Sequence, residues 1–274
     1  MTNKSNRVHS LGFLWAVQTN LPRRPRADVV AQLSTLGLPY IGVDVIPFSE
    51  ELTFLSETPA HNRIIPYGST SLLKRAMQRN WRGLFFDPAL FRVDAWLAHR
   101  DDMLNQAEML AVEEVLERYR HREGFWHVRP LEDLKRFTGI VMSSSELIAW
   151  VEGAAGVPLS DGVLPQETLL AISPARELLA EWRWIIVGGD LMDGSLYRRE
   201  GRSCYQHEED SKIIAKAKDL TRGWLPHETC VMDVALTAEG FRVIEFNCFN
   251  GSGFYDHDLS RILPAVTAYT QHLN

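Results

Sequence analysis

The sequence predicts a layered α/β (α+β) protein built in two closely packed parts. Strand and helix patterns alternate through the first hundred residues. The second half is richer in strands, and two of its strand pairs read as antiparallel hairpins. A chain of 274 residues suits two domains around a shared cleft, and no Pro- or Ser-rich linker divides it. The transition is expected near residue 105, giving an α/β domain of residues 1–105 and a second domain of 106–274.

The elements follow in order. GFLWAVQ reads as a strand, and ADVVAQLSTLG as a helix with Val30, Leu33 and Leu36 at helical spacing and Gly37 as its stop. YIGVDVIPF is the next strand. NRIIPYG leads into the helix STSLLKRAMQRN. A longer helix is expected from Asn105, with Glu108 completing a capping box and Leu104, Ala107, Ala111, Val115 and Tyr119 on one face, ending near Gly124. GFWHVRP, Ile140–Met142 and ETLLAIS are strands, and SSSELIAWVEGAAG is a helix capped by Ser143 and Glu146. EWRWIIVGG and GSLYRRE flank a glycine-bearing turn and form one hairpin. EEDSKIIAKAKDL is a surface helix. CVMDVAL and FRVIEFN flank the turn TAEG and form a second hairpin, and LSRILPAVTAYTQHL is an amphipathic helix despite Pro264.

Composition narrows the function classes. The formal net charge of −6 argues against a general nucleic-acid surface, and the short run of Arg23, Arg24 and Arg26 reads as a solvated loop. The three cysteines, Cys204, Cys230 and Cys248, lie far apart with no CxxC spacing, which fits a reducing compartment rather than a disulfide framework or a structural zinc site. The N-terminal apolar run is too short for a signal peptide, and no stretch approaches the ~18–20 apolar residues of a membrane span. A soluble, cytoplasmic protein is expected. No GxSxG, P-loop or GxGxxG pattern supports a hydrolase, P-loop or Rossmann reading.

The chemistry concentrates in the second hairpin. Strand alternation puts Phe241, Val243, Glu245 and Asn247 of FRVIEFN on one face. A three-residue loop, Ala238 to Gly240, would set Asp233 directly opposite Glu245, whereas a four-residue loop would turn Asp233 to the other face. Two facing carboxylates repel when unpaired. A divalent cation relieves that repulsion, and Asp233, Glu245 and Asn247 are the oxygen ligands magnesium takes. The competing reading pairs Glu245 with Arg242 at a strand edge.

Asp233, then Glu245 and Asn247 in VIEFN, resembles the C-terminal metal motif of the ATP-grasp superfamily. Upstream segments match in order. FWHVRP resembles the strand that usually ends in Lys-Pro, with Arg129 at the lysine position. EDLKRFTGIV resembles the phosphate-covering loop, with Lys135 and Gly139, although it is poorer in glycine than is usual. AEWRWIIVGGDL resembles the strands after the adenine hinge. Arg129, Lys135 and Arg183 together look closest to the divergent branch named for two arginines and a lysine. The resemblance spans roughly residues 125–258 and implies an ATP-grasp fold behind an N-terminal pre-ATP-grasp α/β domain.

That resemblance also implies roles. Asp233, Glu245 and Asn247 would hold magnesium; Arg129 and Lys135 would bind the phosphates of ATP; Arg183 would act on an anionic substrate or the γ-phosphate. Glu177 or Glu181 would take the ribose hydroxyls. Asn250 and Ser252, in the small polar loop after the metal strand, would approach phosphate. Each has a bland counterpart: a solvated loop for Lys135, a rim salt bridge for Arg129, an ion pair across the hairpin for Glu181 and Arg183, and a tight turn for the loop. His257, between Asp256 and Asp258, reads either as a surface residue or as a zinc or acid–base group. The implied activity is an ATP- and Mg2+-dependent ligase joining a carboxylate to an amine or other nucleophile through an acylphosphate. The substrate would be a small molecule, an amino acid or a peptide-like chain. An ATP-grasp-type kinase and a degenerate ATP-grasp binding protein are the alternatives.

Overall fold

The computed structural model describes residues 12–21, 27–46, 49–57, 60–131, 139–153 and 168–273. Arg23, Arg24 and Arg26 lie outside them. The chain divides into two compact units: one runs through Phe85 and takes up Asn250–Phe254 and the residues from Asp258 onward, and the other comprises Phe86–Phe249 and Tyr255–His257.

The first unit begins β1 (Leu14–Gln18), α1 (Ala27–Thr35), β2 (Tyr40–Val45), β3 (Leu52–Phe54), β4 (Ile64–Tyr67) and α2 (Thr70–Gln78). Its sheet has the order β3-β2-β1-β4, with β1 parallel to both β2 and β4 and β3 antiparallel at one edge. Parallel central strands are covered on both faces, so β4 is buried at all four positions. Ala16, Val43, Ile64, Leu72 and Trp81 pack into the core on the α2 side. Ser69 caps α2, its Oγ accepting from the Leu72 N–H at 3.4 Å, and Gln18 Oε1 in turn accepts from the Ser69 N–H and hydroxyl at 2.9 and 2.7 Å.

The second unit continues with α3 (Val93–His99), β5 (Glu108–Ala111), α4 (Val112–Tyr119), β6 (Phe125–Pro130), β7 (Ile140–Ser143), α5 (Ser144–Val151) and β8 (Leu169–Pro174). The antiparallel sheet β5-β8-β6-β7 buries Val128, Met142, Leu170 and Ile172 against Val115, Tyr119, Leu147 and Trp150 of α4 and α5. Here the long helix expected from Asn105 is corrected. Glu108–Ala111 pairs antiparallel with Leu169–Ile172, and the helix starts only at Val112. Glu108 caps nothing; it forms ion pairs with Arg118 and Arg122. The N-terminal acceptor is Glu114, which takes the Ala111 N–H at 2.7 Å. At α5 the expected capping box of Ser143 and Glu146 is present.

Next come β9 (Ala180–Val187), β10 (Asp190–Arg199), β11 (Arg202–His207), α6 (Ser211–Thr221), β12 (Cys230–Thr237) and β13 (Gly240–Asn247), whose strands make an antiparallel sheet of order β11-β10-β9-β12-β13. Both expected hairpins are there, and β11 adds a strand to the first of them. Trp184 lies flat over Gly194, its cross-strand partner; a Cβ at Gly194 would sit 2.0 Å from the indole, so only glycine fits. The segment before β5 belongs to this unit: Leu104 N–H and Val243 N–H bond to Val243 and Asp102 carbonyls at 2.7 and 3.0 Å, and Trp96 packs edge-on against Phe246. These ties hold the segment from Phe86 onward to the second unit.

The chain closes with α7 (Leu259–Gln271), which returns to the first unit. Ile262, Leu263 and Val266 are fully buried, and Trp15 Nε1 donates to Thr267 Oγ1 at 3.0 Å. That burial outweighs the single helical hydrogen bond lost at Pro264. Among the described residues no helix is long and apolar enough to cross a membrane.

Candidate functional site

Arg183, Asp233 and Glu245 stand side by side on β9, β12 and β13, each directly opposite the next. The acid pair forms, but not by the expected route. The turn between β12 and β13 has two residues, Ala238 and Glu239, with Thr237 opposite Gly240, whose φ of 112° favours glycine. Continued regularly, that register would face Asp233 with Ile244 and send Glu245 to the far side of the sheet. A β-bulge at Ile244 takes up the odd residue and brings Glu245 opposite Asp233.

The bulge also corrects the expected single face for Phe241, Val243, Glu245 and Asn247. Val243 aligns through Val234 with Trp182, and Phe241 packs on the Trp182 ring at 5.6 Å. Glu245 aligns through Asp233 with Arg183, which faces the other way. The apolar half of β13 thus points into the core and the polar half does not.

The charges are matched. Arg183 binds Asp233 through both prongs, Nε to Oδ1 at 2.8 Å and Nη2 to Oδ2 at 2.7 Å. Arg129, at the end of β6, donates from Nη1 to Glu245 Oε2 at 2.8 Å. The Asn247 amide nitrogen bridges both acids, 3.0 Å from Glu245 Oε1 and 3.3 Å from Asp233 Oδ2. Aromatic rings cover the guanidinium groups: Tyr255 lies 5.0 Å from Arg183 and Trp96 5.3 Å from Arg129. Burial raises the pKa of Asp233, with the Glu245 charge adding to it against Arg183. Burial also acts on Glu245, but Arg129, Asn247 and Arg183 together hold its carboxyl below the usual range.

His257 is a brace, not a titrating group at neutral pH. Its Nδ1 accepts from the Tyr255 N–H at 3.1 Å, so Nε2 carries the proton and donates to the Arg183 carbonyl at 3.2 Å. Burial lowers its pKa to about 4, and burial with the Arg129 charge does the same to His127. Both folded-state values lie below the ordinary 6.5, so the stability these neutral rings contribute is complete above pH 6.5 and lost as pH falls towards 4. The unfolding free energy from denaturant titrations is expected to drop across that window, by up to about 1.4 kcal/mol per pH unit for each histidine, and His257→Asn should make the slope shallower. An unchanged slope in that variant would remove His257 from this account.

The remaining candidates are scattered. Glu181 is buried beside Arg183 on β9, where it accepts from the Tyr197 hydroxyl at 2.8 Å and from Arg198 at 3.3 Å. Glu177 is exposed, with no hydrogen bond among the described residues. Lys135 and most of the covering loop lie outside the described residues. Asn250 sits in the first unit, fully buried, where Oδ1 accepts from the Phe85 N–H at 2.8 Å and Nδ2 donates to the Pro66 and Gly83 carbonyls at 2.7 and 2.9 Å. That side-chain amide fastens the first unit. Ser252 is buried in the same unit, its carbonyl accepting from the Tyr67 hydroxyl at 2.6 Å. The sequence places Tyr255 next to the candidate site but gives no sign of Tyr197 and Tyr205, whose rings both stack on Tyr255 beside Arg183.

A model of the ATP-grasp domain, family 3 of the clade named for two arginines and a lysine, matches residues 85–266. The chain belongs to that family. No curated protein matches it. Among solved structures, this ATP-grasp chain is similar to the ATP-grasp ligase PsnB complexed with precursor peptide PsnA2 and AMPPNP, at 13% identity and a TM-score of 0.53 over 96% of this chain and 99% of that one. PsnB is also known complexed with minimal precursor, Mg and ADP. D-cycloserine synthetase DcsG is 14% identical, with a TM-score of 0.55 over 95% of this chain and 98% of that one. A RimK domain ATP-grasp protein from Sphaerobacter thermophilus is 14% identical, with a TM-score of 0.54 over 94% and 97%. At these identities the likeness is one of fold. Within the ATP-grasp domain, Asp233, Glu245 and Asn247 give two carboxylates and an amide; among the described residues no three His, Cys, Asp or Glu side chains gather to hold a metal. The donor set suits magnesium, which takes one or two carboxylates and completes its shell with phosphate oxygens and water. Asp233 Oδ1 and Glu245 Oε2 each accept one bond, from arginine, and keep a lone pair for a metal, and Asn247 would join them as a ligand once its amide turns so that the oxygen replaces the nitrogen now bridging the two acids.

Proposed function

We propose that this chain is an ATP- and magnesium-dependent ligase that joins a carboxylate to an amine through an acylphosphate. The observation that carries the reading is the row of Arg183, Asp233, Glu245 and Asn247, closed by Arg129. A strand pair that only packs has no use for two facing acids, and here a bulge is needed to make them face.

The roles follow from charge. Magnesium held by Asp233, Glu245 and the Asn247 amide oxygen would neutralise charge on the transferring phosphoryl group. Arg129 and Arg183, each bound to one of the two acids, would supply positive charge beside phosphate and carboxylate oxygens. Lys135 would bind the phosphates, and Glu181 or Glu177 would take the ribose hydroxyls. A substrate carboxylate takes the γ-phosphoryl group, ADP leaves, and the amine displaces phosphate from the acylphosphate. PsnB, with its precursor peptide, supports a peptide-like or amino-acid substrate.

Calorimetric titration with a non-hydrolysable ATP analogue tests the reading. Binding is expected to require magnesium, strengthening at least about tenfold when it is added. Equal binding with and without the metal would overturn the metal assignment, and no binding in either condition would overturn the ligase reading.

A further inference from the structure

Tyr205 is 61% exposed on the edge strand β11, whose neighbouring positions are polar. Core packing does not account for it. Its ring stacks on Tyr255 at 5.1 Å and 10°, Tyr255 stacks on Tyr197 at 5.1 Å and 28°, and the Arg183 guanidinium lies 5.0 Å from the Tyr255 ring. The ladder therefore runs from solvent to the ion-pair row, all within the second unit. Its inner end is fixed by Glu181, which holds the Tyr197 hydroxyl at 2.8 Å.

The charges around the outer end are acidic. Asp256 follows Tyr255 and is exposed, with Oδ2 accepting from the His207 N–H at 3.0 Å. Asp193, buried behind it, approaches the His207 ring at 3.8 Å. Of the arginines on β9 and β10, Arg183 is engaged by Asp233 and Arg198 by Glu181, while the exposed Arg199 and Arg202 face each other at the far end of the β10–β11 pair. A π face beside acidic side chains attracts a cation, and an ammonium or guanidinium group satisfies both.

We infer that Tyr205, with Asp256, is the docking platform for the amine acceptor, and that this acceptor carries a second cationic group. The inference rests on the ligase reading and deepens it. Tyr205 lies 5.1 Å from Tyr255 and Arg183 5.0 Å beyond it, and a cation on the outer face of Tyr205 adds a further spacing, so the second cation stands on the order of 15 Å from Arg183, the reach of about three extended residues ending in a long basic side chain. A basic tripeptide or a long diamine has that reach; a single amino acid does not. Tyr255 is a positioning residue that keeps Arg183 in place while Tyr205 receives the ligand.

Saturation-transfer NMR on the full chain, with Gly-Gly-Lys amide, its norleucine counterpart and Gly-Gly-Glu amide as probes, tests this. The lysine peptide is expected to bind about tenfold more tightly than the norleucine peptide. Tyr205→Phe should keep that preference, and Tyr205→Ala should lose it. Equal binding of the three peptides, or a preference that survives in Tyr205→Ala, would overturn the platform. The same wild-type sample titrated with the ATP analogue reports on the ligase reading separately, because the peptide preference is measured without nucleotide.

Discussion

Replacing Glu245 by glutamine is expected to lower magnesium-dependent ATP turnover by about 10²–10³-fold or more while the protein stays folded. Preorganised charge at a phosphoryl-transfer site has effects of that size. Glutamine keeps the length of the side chain, and its carbonyl oxygen can still accept from Arg129, now 2.8 Å from Oε2. What disappears is one of the two negative charges facing the proposed metal. The measurement is ADP release across a magnesium titration, with circular dichroism on the same samples. Turnover within about twofold of wild type would mean that Glu245 does not bind the metal.

The second large effect concerns stability. Arg183 and Asp233 are a bidentate pair with side chains only 11% and 4% exposed. Arg183→Met leaves the Asp233 carboxylate buried without its main counter-charge, a change expected to cost about 3–5 kcal/mol in denaturant unfolding at pH 7. The loss should shrink at lower pH, because Asp233 in that variant can take up a proton. Adding Asp233→Leu should recover most of the stability, since two apolar side chains of similar volume replace the ion pair, yet activity should not return. A single variant as stable as wild type would show that the pair contributes nothing net to the fold. A double variant with activity would show that neither residue serves the reaction.

Much of this was legible in the sequence because it depended on local chemistry. The spacing of Asp233, Glu245 and Asn247 and the turn-flanked hairpins led to the acid pair, and Ser143 with Glu146 announced a helix start. The misreadings came from partners distant in the chain. Glu108–Ala111 has helix-compatible residues on both sides, and only its pairing with Leu169–Ile172 makes it a strand. Nothing local to Asn250 shows that its side-chain amide serves Pro66, Gly83 and Phe85, all far back in the chain. The tyrosine ladder gathers positions 197, 205 and 255 and leaves no periodicity to detect. Each of these depends on long-range neighbours that override local propensity.

The Ile244 bulge has a consequence beyond placing one acid. Read at a strict period of two, the strand from Gly240 to Asn247 would need Phe241, Val243, Glu245 and Asn247 on the same side, forcing either the polar half into the core or Val243, fully buried here, out of it. With the odd residue absorbed between them, the first half is in phase with the packing of Trp182 and the second half with Arg183. A three-residue turn with no bulge would keep Asp233 facing Glu245 just as well, but it would turn Phe241 and Val243 over with them. Turn length and bulge are therefore conjugate settings of one parity. The strand carries two messages, one for the interior and one for the chemistry, and Ile244 is the punctuation that lets both be read.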